Sequence, residues 1–187
     1  MASHIERSER NEIYFVTFTY YKWLPLIEKS QTYFYVEKWF EYLNLQNCDI
    51  LAYVVMPNHF HAILHIKEEC KISLSTIIGN GKRFWAYEII KKLEELGEKR
   101  LLSFMRREVT NEESIKGYNH RVFKYSFDSK ICYNPRILET KLDYIHHNPV
   151  NGKWNLIDDY TKYKYSSASF YELQIPNKFI THYMDIL

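Results

Sequence analysis

Hydrophobic positions recur along the chain with two different periods, and each period predicts one kind of element. The stretch Ile13–Tyr21 is dense in aromatic and β-branched residues, which favours a β-strand. After a turn at "LPLIEKS", apolar residues recur at helical spacing, and Ser30 is a suitable N-cap for a helix that runs to about Gln46. The core-facing positions of this predicted helix are Tyr33, Val36, Phe40 and Leu43.

Two further apolar runs follow the helix and predict a pair of strands. They are "CDILAYVVM" (Cys48–Met56) and "HFHAILHIK" (His59–Lys67), and only Pro57 and Asn58 separate them. Proline and asparagine break an extended pattern. Because two residues cannot hold a crossover helix, the two strands are predicted to form an antiparallel hairpin.

The chain after residue 72 predicts two helices and one strand. The predicted elements are a helix over Ser73–Leu96, a strand over Arg121–Lys130 and a helix over Pro135–His147. Gly79 and Gly81 mark a possible break in the first of these helices, and residues 97–120 are polar and irregular by pattern. Pro135 suits the first turn of a helix, where its missing N–H costs no hydrogen bond. The pattern of the tail "YKYSSASFYEL" does not decide its secondary structure.

The predicted order of elements is β-α-β-β-α-β-α. This order is typical of an α+β domain with a ferredoxin-like antiparallel sheet and helices packed on it. A length of 187 residues predicts one domain covering residues 1–187, with a core over about residues 13–171.

Composition excludes several classes of protein without selecting one. The formal net charge of +2 and pI near 8.3 are mild for a nucleic-acid binder. Three cysteines without a CxxC motif do not form a disulfide framework, so a reducing cytoplasm is the expected setting. The first twelve residues are polar and lack a signal-peptide core, and no apolar run is long enough for a membrane span.

Two histidines in "VVMPNHFHAIL" are the first candidates for chemistry. Strand alternation places His59 and His61 on one face, roughly 6.6 Å apart along the strand, where both imidazoles can bind one metal ion. The opposite face carries only apolar residues and should pack on the core. Two histidines of a strand can also be incidental, and a usable metal site needs a third protein ligand. The two interpretations stay open on this motif alone.

The helix in "KLDYIHHNPVNGKW" supplies a second candidate. Tyr144 and Asn148 are four residues apart and therefore share a helix face, at the flank of the apolar stripe. The stripe consists of Leu138, Leu142 and Ile145. Pro149 biases Asn148 away from helical geometry. A nucleophilic tyrosine needs an electrophile held in line and a nearby cation, since its pKa is ordinarily about 10.

These two motifs together resemble the HUH single-tyrosine transposases. "VVMPNHFHAIL" is similar to their His-hydrophobic-His strand, and "LDYIHHNPV" followed by "YKYSSASFY" is similar to the REP-associated branch, in which a YI-x-x-NPV helix precedes a Ser-Ser motif. The resemblance runs from about Ile13 to Tyr171 and implies the HUH nuclease fold. Phe123 stands where the family often has tryptophan, and "NGKWNL" replaces the usual GL pair after NPV. The resemblance implies no mechanism for Ser166 and Ser167.

The resemblance implies roles for matching residues. Tyr144 matches the catalytic tyrosine, which attacks a phosphodiester of single-stranded or hairpin DNA and leaves a 5′-phosphotyrosine and a free 3′-hydroxyl. His59 and His61 match the metal ligands, and Asn148 stands where relatives place a polar third ligand. The implied cofactor is Mg²⁺ or Mn²⁺, with imidazoles suiting Mn²⁺ better. The active enzyme would be a monomer, or a homodimer in which the tyrosine helix serves the partner's histidines.

The resemblance also changes the interpretation of the basic stretch that begins at "GKRFW". Lys82, Arg83, Lys91 and Lys92 are expected to face DNA phosphates, although a solvated helix face explains the same pattern. Trp85 is either a stacking platform for bases or part of the core.

Two other functions fit the same residues. A non-catalytic relative would bind hairpin DNA or RNA without cutting it, and its binding would be sensitive to salt. A nuclease that activates water would cleave without a protein–DNA adduct. His65, His146 and His147 are expected to be structural or surface residues.

Overall fold

A computed structural model describes residues 10–152 and 154–187, and its centre is one four-stranded antiparallel sheet. The strands, in the spatial order β2-β3-β1-β4, are β1 (Glu12–Thr19), β2 (Cys48–Met56), β3 (His59–Ile66) and β4 (Asp128–Ile131). β3 lies between β1 and β2 and pairs antiparallel with both. The α+β class and the ferredoxin-like antiparallel sheet are confirmed.

Helices cover both faces of this sheet. The α-helices are α1 (Leu26–Ser30), α2 (Tyr35–Leu45), α3 (Leu74–Glu95), α4 (Lys99–Arg107), α5 (Asn111–Ile115), α6 (Pro135–His147) and α7 (Ala168–Glu172). Short 3-10 turns cover Tyr21–Trp23, Asn148–Val150, Tyr160–Lys162 and Tyr183–Asp185. Within the described ranges, no helix has both the length and the apolarity needed to span a bilayer.

Alternation along the strands produces a separate apolar layer on each face. On one face, Phe18 and Phe60 pack against Trp39 of α2 and Trp85 of α3. The opposite face packs against α6, and its buried residues include Phe15, Val54, Ile63, Leu138 and Ile145. α3 and α6 therefore lie on opposite faces of the sheet.

The prediction of one helix from Ser30 to Gln46 is wrong. Ser30 is the last residue of α1 and not an N-cap, and its hydroxyl donates to the Leu26 carbonyl at 2.6 Å. Gln31 adopts a left-handed conformation, with φ of 57°, which ends α1 before α2 begins at Tyr35.

The segment 97–120 forms two helices, where the polar pattern predicts irregular structure. Met105 is the one fully buried residue of α4, and Leu101, Leu102 and Phe104 pack half-buried against the same core, so the apolar stripe of this helix is short and lies within a stretch of charged residues. α5 begins with a capping box in which Thr110 and Glu113 bond each other's backbone N–H groups. Short helices with charged surfaces are missed when hydrophobic periodicity is the main signal.

The strand predicted over Arg121–Lys130 is much shorter in the structure. Only Asp128–Ile131 pairs with β1, while Phe123 makes an isolated bridge with Tyr20. The expected break at Gly79 and Gly81 is also wrong, because α3 is continuous through both residues.

The two glycines of α3 provide a matched pair for a stability prediction. A Cβ at Gly81 would lie 2.5 Å from the buried Trp39 ring, whereas a Cβ at Gly79 would have no atom within 4 Å. We expect Gly81→Ala to lower the free energy of unfolding by about 1–3 kcal/mol through overpacking. Gly79→Ala should raise it by up to about 1 kcal/mol through helix propensity. Urea denaturation of both variants measures the difference, and a stabilising Gly81→Ala would contradict the packing described here.

Candidate functional site

His59 and His61 lie side by side on the face of β3 that packs against α6. Their rings are 4.7 Å apart between centroids, and both side chains are buried. Phe60, between them, points to the opposite face and belongs to the other apolar layer. The strand alternation read from the sequence thus places both imidazoles on one face.

His61 has one ring nitrogen bonded and the other without a partner. Its Nδ1 lies 2.6 Å from Thr17 Oγ1, and Thr17 is its register partner on β1. Its Nε2 is buried and has no hydrogen-bond partner among the described residues. An unpaired buried nitrogen is costly, and in the tautomer whose Nδ1 donates to the Thr17 hydroxyl, the Nε2 lone pair is suited to a cation.

His59 is held between two asparagines. Its Nδ1 lies 2.6 Å from Asn58 Oδ1, and its Nε2 lies 3.1 Å from Asn148 Oδ1. The Asn58 amide N–H donates to the Trp23 carbonyl, which leaves the Asn58 oxygen facing Nδ1. In a neutral imidazole Nδ1 then carries the hydrogen, so the Nε2 lone pair faces the Asn148 oxygen. A cation bound to both atoms would stabilise this pair of acceptors.

Asn148 reaches this position in helical geometry, contrary to the bias expected before Pro149. Its φ and ψ are −54° and −41°, and it begins the 3-10 turn that continues α6. The turn carries its side chain beyond the last turn of α6 toward β3, where it contacts His59.

Tyr144 lies next to the histidine pair within the same chain. Its ring is 5.2 Å from the His61 ring and 6.0 Å from the Phe15 ring, in edge-on contacts. Its side chain is 49% exposed, so a substrate can reach it from solvent. One turn earlier, the Lys141 ammonium lies 4.8 Å from the Phe15 ring and 5.9 Å from the Tyr144 ring. The site therefore combines an accessible phenol with a nearby positive charge.

Burial keeps both imidazoles neutral. It lowers the pKa of His59 to about 4, although the contact with Asn148 opposes the shift. Burial also lowers the pKa of His61 well below its usual value, and electrostatic interactions with His59 and Lys141 disfavour its protonated form further. Neutral imidazole is the form that binds a metal ion.

The donor set fits a divalent cation that accepts nitrogen and oxygen. In residues 10–152 and 154–187, no group of three histidine, cysteine, aspartate or glutamate side chains is arranged to hold a metal ion. The third protein ligand at this pair would therefore be the Asn148 amide oxygen. Two imidazoles and one amide oxygen suit Mn²⁺, and Mg²⁺ less well.

A fixed hydrogen-bond network ties α6 to the sheet behind Tyr144. His146 Nε2 lies 2.9 Å from Ser167 Oγ, and the same hydroxyl accepts from the Tyr53 N–H at 2.9 Å. Burial lowers the pKa of His146 to about 4. His146 and Ser167 are therefore structural, as expected for this histidine.

The buried neutral histidines predict loss of stability in mild acid. Between pH 4 and 6.5 the unfolded chain binds protons at His59 and His146 that the folded chain does not, so the free energy of unfolding falls as the pH falls through this range. Each group contributes on the order of 3 kcal/mol, present in full above about pH 6.5. Urea denaturation at pH 7 and pH 5 measures the effect. His146→Gln should reduce the pH dependence, and equal stability at the two pH values would contradict the burial.

The four basic residues predicted to contact DNA lie on α3, across the sheet from Tyr144. The Lys82 ammonium donates to the carbonyls of Lys124 and Tyr125 at 2.7 and 3.0 Å, and burial lowers its pKa to about 8. This geometry gives Lys82 a structural role in holding the loop. Lys92 pairs with Glu95 at 2.7 Å, while Arg83 and Lys91 are exposed. DNA contacts by all four residues stay a prediction.

Trp85 belongs to the core. It is 1% exposed, and its Nε1 donates to the Thr32 carbonyl at 3.2 Å. Of the two interpretations of this residue, the structure supports packing and not a platform for bases.

Four further residues at the site are not identified by any pattern in the sequence. They are Thr17, Trp23, Asn58 and Lys141. Only the β1–β3 register brings Thr17 to His61, and a register is not visible in a single sequence. The sequence indicates a turn at Asn58, and in the structure the side chain of this residue also orients His59.

Comparison with known proteins gives a solved structure of similar fold. No family model and no curated protein matches this chain. Among solved structures, the chain is similar to a REP-associated tyrosine transposase bound to a REP hairpin, with a TM-score of 0.59 and 16% sequence identity. The match covers 94% of this chain and 89% of that one. At this identity the likeness shows a shared fold.

Proposed function

We propose that this chain is a metal-dependent transposase or endonuclease of the HUH type, which cleaves and rejoins single-stranded DNA through a 5′-phosphotyrosine at Tyr144. The observation that carries the proposal is the contact between Tyr144 and His61, with ring centroids 5.2 Å apart in one chain. The likeness to a hairpin-bound tyrosine transposase supports hairpin-forming DNA as the substrate. The cytoplasm is the proposed location.

The metal would be held by His59, His61 and Asn148. A divalent cation bound there would neutralise charge on the scissile phosphate and stabilise the leaving oxygen. Thr17 and Asn58 fix the rotation of the two imidazoles through their Nδ1 atoms, which leaves His61 Nε2 without a protein partner and His59 Nε2 facing Asn148, the third ligand of the proposed site.

Tyr144 supplies the nucleophile. Its hydroxyl oxygen would form a bond to phosphorus as the bond from phosphorus to the 3′-oxygen breaks, and the phenolic proton would pass through solvent to the released 3′-oxygen, which becomes a hydroxyl. The reverse step, attack of a 3′-hydroxyl on the phosphotyrosine, rejoins DNA. Lys141 adds positive charge beside the phenol, where the phosphate would lie.

The contact between Tyr144 and His61 within one chain supports an active site built from a single chain. A monomer then suffices for cleavage. A homodimer in which the helices exchange would need α6 to leave its packing on β2 and β3, where Leu138 and Ile145 are fully buried.

One experiment separates the proposed function from the alternatives. The protein is incubated with end-labelled single-stranded DNA that contains a hairpin, with Mn²⁺ or with a chelator. We expect a covalent protein–DNA adduct that requires the metal. Cleavage without an adduct would indicate a nuclease that activates water, and salt-sensitive binding without cleavage would indicate a non-catalytic binding protein.

A further inference from the structure

Trp23 is a large aromatic residue that the fold leaves exposed beside the histidine pair. Its side chain is 57% exposed, and its ring lies 5.8 Å from the His59 ring at an angle of 70°. Tyr144 contacts His61, the other member of the pair. The two aromatic side chains therefore stand at opposite ends of the proposed metal site.

The backbone that presents Trp23 is strained. Lys22 and Trp23 both have positive φ angles, 50° and 58°, although neither is glycine. Two successive left-handed residues with long side chains are disfavoured, and such strain persists where the surrounding structure imposes it. A tryptophan held in this way and still exposed adds little to the core.

Contacts on both sides of the turn impose this conformation. On one side, the Lys22 ammonium pairs with Glu108 at 2.8 Å and lies 5.1 Å from the Phe104 ring of α4. On the other side, the Trp23 carbonyl accepts from the amide of Asn58, whose oxygen faces His59. Asn58 thus connects the position of Trp23 directly to that of a proposed metal ligand.

We propose that Trp23 is a stacking site for an unpaired nucleobase next to the phosphate bound at the histidine pair. The placement of the phosphate rests on the proposed function. An exposed indole at the end of the site offers a face on which any base can stack, since every base has a π-face. Trp23 would hold the DNA strand on the side of the phosphate opposite Tyr144.

The test measures binding by a protein that cannot form the adduct, the Tyr144→Phe variant. Its affinity for a 20-nucleotide oligothymidylate and for an abasic oligomer of equal length is measured by fluorescence anisotropy. Adding Trp23→Ala should weaken oligothymidylate binding about tenfold, with Trp23→Leu similar and Trp23→Phe within about threefold. Binding of the abasic oligomer should be the same with and without Trp23, and the salt dependence should not change.

Tyr133 provides the matched control. It is 76% exposed and lies near Ile13 and His65, at the other end of β1 and β3. Tyr133→Ala should leave oligothymidylate binding unchanged. Unchanged binding in folded Trp23→Ala and Trp23→Leu proteins, or an equal loss with the abasic oligomer, would overturn the stacking site.

The outcome is independent of the adduct assay. Loss of base-dependent binding in the Trp23 variants supports stacking even if no adduct is ever observed. If the protein with Tyr144 intact forms the adduct, and the Trp23 variants of Tyr144→Phe bind as tightly as Tyr144→Phe itself, this inference is overturned and the proposed activity stands.

Discussion

Replacing Tyr144 by phenylalanine is expected to abolish the covalent protein–DNA adduct, a loss of at least about a thousandfold in the rate of its formation. The substitution removes only the hydroxyl oxygen that would bond to phosphorus. The ring contacts with Phe15 and His61 are retained, so the free energy of unfolding should change by no more than about 0.5 kcal/mol. The measurement is a denaturing gel of protein incubated with labelled hairpin DNA and Mn²⁺.

A second tyrosine serves as the control for this experiment. Tyr133→Phe removes a hydroxyl from an exposed side chain far from the histidine pair and should leave adduct formation unchanged. An adduct that persists at the normal rate in Tyr144→Phe would assign the nucleophile to another residue.

Removal of one histidine of the pair should have an effect of similar size. We expect His61→Ala to reduce metal-dependent cleavage by about a thousandfold, because two ligands would remain and the charge of the phosphate would no longer be neutralised. The variant should also lose thermal stabilisation by the metal. For the wild type, Mn²⁺ at about 100 times its Kd should raise the Tm by about 5–10 °C.

His65 offers a matched control for that variant. It lies on the same strand, is also buried, and bonds to Asp49 and Asn11 instead of to the site. His65→Ala should lose some stability and keep both the metal-dependent cleavage and the Tm shift with Mn²⁺. Equal Tm shifts in His61→Ala and the wild type would place the metal elsewhere.

Local signals in the sequence were sufficient to predict the helix and the strand that carry the proposed chemistry. Pro135 at the first turn, together with the apolar stripe of α6, predicted the helix with its observed bounds, Pro135–His147. The alternation of β3 predicted that His59 and His61 share a face, as the structure shows. In both cases the signal lies within one element and depends on burial of one side.

Features that depend on contacts between distant segments were not predictable in this way. Lys82 appears in the sequence as a free basic residue, but carbonyls more than 40 residues away surround its ammonium. The apolar stripe of α4 is short and flanked by charged residues, and α5 has no buried residue, so neither helix stands out in this polar stretch. The positions of Thr17, Asn58 and Trp23 around the histidines follow from strand register and from a strained turn, which a single sequence does not display.

The most direct test of the central claim is to identify the residue that carries the DNA. The adduct formed with hairpin DNA and Mn²⁺ is digested with nuclease and protease, and the modified peptide is sequenced by mass spectrometry. The account predicts a nucleotide joined through its 5′-phosphate to Tyr144. A nucleotide on any other residue, or cleaved DNA without a modified peptide, would contradict it.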